Sequence, residues 1–110
     1  MLLSTDVWVS GLIRRAELSG AFATVVKKGD ARAGTVIVKA YDTSRRTARL
    51  FSAVTGQDGD PRWLQPVTSD IESELDAYIE RQRRYDPDLW VVEIEDREGR
   101  HFLQEKVQEG

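Results

Sequence analysis

Between Asp6 and Ser19, the residues Trp8, Val9, Leu12, Ile13 and Ala16 recur three or four positions apart, the spacing that lines one face of an α-helix. Ser4, Thr5 and Asp6 offer capping oxygens ahead of this stripe and Gly20 supplies a stop, so the pattern predicts a helix over about 6–19. Gly11 inside it costs about 1 kcal/mol relative to alanine, which implies close packing at that point or a weak helix. From Ala21 the pattern turns to β-branched and aromatic runs, "AFATVVKK", "TVIVKAY" and "ARLFSAVT", separated by "GDARAG" and "DTSRR". These runs predict three strands in a meander, and the nearly continuous apolar stretches around Val25 and Ile37 predict central strands covered by a helix. "GQDGDP" at 56–61 breaks the pattern. "RWLQPV" then reads as a fourth, edge-like strand, because Pro66 has no N–H to give to a central ladder.

Ser69 and Glu72 have the spacing of a capping box, and Ile71, Leu75, Tyr78, Ile79 and Gln82 follow along one face. A second helix is predicted over about 70–84, with Asp70, Glu72 and Glu74 at its start, Arg81, Arg83 and Arg84 at its end, and Pro87 closing it. "LWVVEIED" alternates, with Trp90, Val92 and Ile94 on one face and Val91, Glu93 and Glu95 on the other. "REGR" turns the chain into "HFLQEKV", a C-terminal strand or hairpin. The predicted fold class is α+β: an N-terminal helix, an antiparallel meander of three or four strands, a second helix and a C-terminal strand or hairpin.

A length of 110 residues suits a single domain spanning 1–110, and no internal repeat or low-complexity tract divides it. With 40% apolar and 32% charged residues, the composition is that of a globular protein rather than a disordered or membrane one. No run approaches the roughly 18 apolar residues of a membrane span, and the first twenty residues lack the basic leader and small-residue cleavage site of a signal peptide. The expected location is the cytoplasm. The absence of cysteine agrees with that, and it excludes disulfides, thiol nucleophiles and Cys-ligated metals. A net charge of −3 argues against broad nucleic-acid binding, which needs a basic surface.

The densest chemistry lies in "RRYDPDLWVVEIEDREGRHF" at 83–102. Asp86, Asp88, Glu93 and Glu95, with Asp96, are the residue types that hold Mg²⁺, and a metal-dependent phosphodiesterase or nuclease is the alternative function they suggest. The pattern lacks that chemistry's lysine, since Arg97 follows Glu95 and arginine does not serve as a base. Asp86-Pro87-Asp88 reads instead as a turn whose carboxylates accept backbone N–H groups. "GDARAGT" at 29–35 has P-loop-like glycines, but no lysine and no following helix, so it reads as a hairpin connection with Gly29 and Gly34 in turn conformations. His101 is the sole histidine and reads as a strand residue beside the terminal turn, and no serine lies in a nucleophile elbow. Arg14-Arg15 and Arg81-Arg83-Arg84 fall at helix C-termini, where the dipole favours them, and Arg45-Arg46-Arg49 decorate a loop. If that loop met the end of the second helix, the arginines with Trp63 or Tyr85 would make an anion or RNA contact.

Two stretches, "VWVSGLIRRAELSGAFATVVKKGDARAGTVIVKA" and "YIERQRRYDPDLWVVEIEDREGRHFL", resemble a small bacterial family known as domain of unknown function 1491. The similarity covers nearly the whole chain apart from a variable part around 42–66, and Arg-Arg-Tyr-Asp-Pro-Asp-Leu-Trp is its most specific marker. The resemblance implies a compact bacterial single-domain protein and supplies no activity, cofactor or catalytic residue. The expected function is therefore that of a non-enzymatic interaction or accessory module, without cofactor or metal, acting on a protein partner or as a homodimer. The three tryptophans and an open meander edge are common association devices. The expected surface is Arg83, Arg84, Asp86, Asp88 and Trp90, joined by Arg14 and Arg15 if the first helix packs nearby.

Overall fold

The computed structural model describes residues 4–55 and 61–108. Helix α1 (Thr5–Leu18) is followed by strands β1 (Phe22–Lys27), β2 (Val36–Asp42), β3 (Thr47–Thr55) and β4 (Pro61–Leu64). Helix α2 (Glu72–Tyr85) and strands β5 (Trp90–Asp96) and β6 (Lys106–Val107) complete the chain. The predicted break at 56–61 lies, but for its last residue, outside the described residues. Both helices begin and end within two residues of expectation, and Gly20 adopts φ +90° directly after α1, as a helix stop requires. The capping box does not form: Ser69 Oγ accepts from Ile71 N–H at 3.1 Å, ahead of the helix, and Ile71 at the N-cap has no side-chain cap bond.

The six strands form one mixed sheet in the order β1-β5-β2-β3-β4-β6. The expected meander needs correction. β2, β3 and β4 are consecutive antiparallel neighbours, but β5 inserts between β1 and β2, antiparallel to the first and parallel to the second. The cause lies in the segment between β1 and β2, which is not a hairpin connection. Asp30 N–H donates to the Asp88 carbonyl at 3.0 Å, Trp90 N–H to Thr35 O at 2.8 Å, and the Trp90 indole to Asp30 O at 2.7 Å. These bonds bind 30–35 to the start of β5 and hold β1 and β2 one strand apart. Gly29 and Gly34 are there because a Cβ on either would run into the Asp88 carbonyl; neither has the positive φ of a turn glycine.

The expected terminal hairpin also needs correction. Past Asp96 the chain crosses to the opposite edge of the sheet, where β6 pairs in parallel with β4, and residues 101–104 form no strand. Phe102 takes a left-handed φ of 59°, and its carbonyl accepts from Arg15 Nε at 3.3 Å and Nη2 at 3.1 Å. That bond and the burial of Leu103 draw the segment over α1 instead of back along β5.

Strand alternation sends neighbouring residues into two separate cores. Val36, Val38 and Ala40 of β2 with Trp90, Val92 and Ile94 of β5 pack against Trp8, Val9, Leu12 and Ala16 of α1. Ile37 of β2, Leu50 of β3 and Val91 of β5 pack against Leu75 and Ile79 of α2. One helix therefore covers each face, which is why "VIVKA" is buried at every position. β1 is an edge strand, not the central one its apolar run suggested. No helix among the described residues is long and apolar enough to cross a membrane.

Candidate functional site

The turn that closes α2 is built as its sequence implies. Asp86 Oδ1 accepts from Asp88 N–H at 3.0 Å, and Asp86 O accepts from Leu89 N–H at 3.2 Å. Trp90 is buried, 3% exposed, with its indole N–H committed to the Asp30 carbonyl, so it belongs to the core and not to a surface. Arg83 pairs with Glu80 at 3.1 Å, and Arg84 is exposed. Arg14 and Arg15 lie on α1, across the sheet from α2, so the structure does not bring the two arginine pairs together.

The acids of 86–96 do not converge on one point, although Glu93 and Glu95 lie near enough to interact. Asp86 organises its turn, Glu95 faces solvent, and Asp96 is buried on the α1 face. Asp96 Oδ2 accepts from the Glu98 and Arg100 N–H groups at 3.2 and 2.9 Å and from Arg100 Nε at 2.9 Å, while Oδ1 accepts from Arg100 Nη2 at 2.9 Å. The Arg100 bond leads the effects that hold its carboxyl down at about 2. Glu93 instead faces Lys39 of the neighbouring strand. Among the described residues no group of three or more His, Asp or Glu side chains is arranged to hold a metal ion.

Lys39 is the residue that sequence reasoning missed. It is 3% exposed, in the middle of the sheet, and its Nζ lies 2.7 Å from Glu72, 2.7 Å from Asp76 and 3.4 Å from Glu93. Burial alone would favour the neutral amine, but the bonds to Asp76 and Glu72, together with the charges of Glu93 and Asp76, outweigh it and raise the ammonium well above its ordinary range. Burial, reinforced by Glu95, raises the Glu93 carboxyl despite Lys39. The available signal was one lysine inside the apolar run "VIVKAY". Such a residue is buried only with its charge paired.

A cleft of about 560 Å³ opens where β2 and β5 end. Arg45 and Thr47 from the β2–β3 hairpin, Arg49 from β3, Arg97 and Gly99 from the turn after β5, and Asp70 ahead of α2 line it. "DTSRRTAR" thus meets the beginning of α2 and not its arginine-bearing end. Trp63, proposed as a stacking surface, is 1% exposed and stacks on Trp8 at 5.2 Å between centroids; Tyr85 is 83% exposed. His101 is half-buried in the irregular segment, edge-on to Phe51 at 4.9 Å, and its Nδ1 accepts from Leu103 N–H at 2.9 Å. Burial holds its pKa below the ordinary value, with Arg49 adding to the effect.

The model of a family described as a protein of unknown function (DUF1491) matches residues 3–104. The chain belongs to the DUF1491 family. Its fold is shared by a DUF1491 protein from Caulobacter crescentus CB15, whose crystal structure is 67% identical with a TM-score of 0.96, covering 97% of this chain and 100% of that one. An NMR structure of a DUF1491 protein from the same organism is 67% identical, with a TM-score of 0.92 over 99% of each chain. Protein Atu0922 from A. tumefaciens is 34% identical, with a TM-score of 0.76 over 87% of each chain. The comparison with curated proteins gave no match. Within this DUF1491 chain the marker run at 83–90 has a structural explanation: it caps α2, turns the chain and seats Trp90 under the glycine loop.

Proposed function

We propose that this DUF1491 protein is a non-enzymatic interaction module that associates along β1, with a second copy of the chain as the partner. The observation that supports it is the open edge of β1. Phe22 is 65% exposed and Val26 49% exposed, while β5 hydrogen-bonds the other side of the strand. α2 packs over residues of β2, β3 and β5, and among the described residues its cluster includes none from β1. An unpaired strand edge with apolar side chains is a template for another strand. The sequence "FATVVK" is self-complementary in an antiparallel pair centred on Thr24, which sets Phe22 of each copy beside Val26 of the other. That register also brings the exposed Lys28 of one copy toward the end of β1 that pairs with Glu95 on the other. The bulge between Val25 and Lys27 keeps the paired stretch short, so the association is weak and reversible.

The reading is of a bacterial protein, in keeping with the relatives' organisms, and, on its cysteine-free composition, a cytoplasmic one organised as a single domain. Sedimentation equilibrium over a concentration series tests the association. A monomer–dimer equilibrium lost in Phe22→Lys, with unchanged circular dichroism, supports it. A monomer at every concentration, or a Phe22→Lys variant that dimerises equally well, ends it.

A further inference from the structure

We propose that the cleft at the carboxyl ends of β2 and β5 binds a small phosphate monoester with a hydroxyl-bearing body, its phosphate held by Arg45, Arg49 and Arg97. Three arginines line it from three separate segments: a hairpin, a strand and a turn. One arginine fork satisfies a planar carboxylate, whereas a tetrahedral phosphate accepts from several directions at once. The cleft's volume of about 560 Å³ lies within the range of small-molecule sites.

The lining carries three acids, yet two of them are already occupied. Asp42 Oδ1 accepts from the Ser44 and Arg45 N–H groups, both at 2.9 Å, and Glu98 lies 3.2 Å from Arg100 Nε. Arg45 and Arg97, by contrast, have no side-chain partner among the described residues. Arg49 is fixed from behind, its Nη2 donating to Gly99 O at 2.8 Å and its guanidinium 5.3 Å from the Phe51 ring centroid. The rim itself is pinned. Asp96 ties down the 97–100 turn through its four bonds, and Gly99 sits so close that a Cβ would lie 3.1 Å from the Asp42 side chain. The pinned rim and Arg49 lose little on binding, whereas the side chains of Arg45 and Arg97 become ordered as the phosphate arrives. Asp70 is the lining acid left without a side-chain partner, and it is placed to accept a hydroxyl from the body of the ligand.

Amide chemical shifts followed by NMR during titration with ribose 5-phosphate, inorganic phosphate, ribose and succinate test the assignment. Saturable shifts at Arg45, Thr47, Arg97 and Gly99 are expected, tightest for ribose 5-phosphate, weaker for inorganic phosphate and absent for ribose. The exposed pair Arg45→Gln/Arg97→Gln lowers affinity about tenfold or more, while Arg84→Gln leaves it unchanged. Asp70→Asn narrows the gap between ribose 5-phosphate and inorganic phosphate. Linear, unsaturable shifts, a preference for succinate, or a double variant that binds as the parent does would each overturn the proposal. None of these readouts depends on the oligomeric state, so this site and the β1 edge stand or fall separately.

Discussion

Trp8 and Trp63, from helix α1 and strand β4, both donate their indole N–H to one carboxylate: Glu105 Oε2 lies 3.1 Å from the first and Oε1 3.1 Å from the second. The rings are stacked, and the acid that joins them comes from the irregular segment ahead of β6. Burial pushes the Glu105 carboxyl up, but the two indole bonds, together with a backbone bond and the charge of Arg15, offset this and hold it below its ordinary value. The C-terminal segment is thereby fastened to both a helix and a strand far away in sequence.

Replacing Glu105 with alanine leaves two indole N–H groups facing a site built for an anion. A loss of about 2 kcal/mol or more is expected, since each of the two orphaned donors costs roughly 1–3 kcal/mol. Urea denaturation followed by tryptophan fluorescence measures it, and Glu105→Gln, which keeps one acceptor, should recover part of the loss.

Lys39 separates charge from packing. Its three partners keep substantial contact with water, so they can solvate themselves when the ammonium is removed. Lys39→Met, which retains the buried stem, is therefore expected to lie within about 1 kcal/mol of the parent. Lys39→Ala opens a cavity beneath α2 and is expected to lose about 2 kcal/mol or more. Equal destabilisation by both, in chemical denaturation, would show that the ion pairs and not the stem dominate.

His101 makes the fold sensitive to mild acid. Its Nδ1 accepts from Leu103 N–H, a bond that a doubly protonated ring cannot make. The folded-state pKa lies below the ordinary 6.5, so the contribution is full above about pH 6.5 and is lost as the pH falls through the lower folded value. The melting temperature should fall through this window, and His101→Gln, which keeps an acceptor without titrating, should flatten the slope.

Asp96 acts in a more acidic window. Its pKa is lowered from 3.8 to about 2, so its contribution is present above pH 3.8 and disappears as the pH drops toward 2. Asp96→Asn should remove that acid step and loosen the 97–100 turn, which hydrogen exchange at Glu98 and Arg100 would register.

Gly34→Ala tests the loop that decides the strand order. The added Cβ would meet the Asp88 carbonyl and lie 2.8 Å from the Trp90 ring, so a cost of roughly 3 kcal/mol is expected from overpacking against backbone. A melting temperature equal to the parent's would mean that the loop can withdraw from β5 freely.

Several elements follow from local physics alone. Both helices are legible in the spacing of Trp8, Leu12 and Ala16 and of Leu75 and Ile79, and the turn at Asp86 in its Asp-Pro-Asp chemistry. The two faces of β5 are legible in the alternation from Trp90 to Glu95, because side-chain direction in a strand has period two whatever its neighbours are. Neighbours are what the sequence left open. Hydrogen-bonding partners across a sheet are non-local, so only the docking of the Gly29–Gly34 loop on Asp88 and Trp90 put β5 between β1 and β2. The same long-range packing drew Lys39 under α2, sent Glu105 to its two indoles, and gathered Arg45, Arg49 and Arg97 around one cleft.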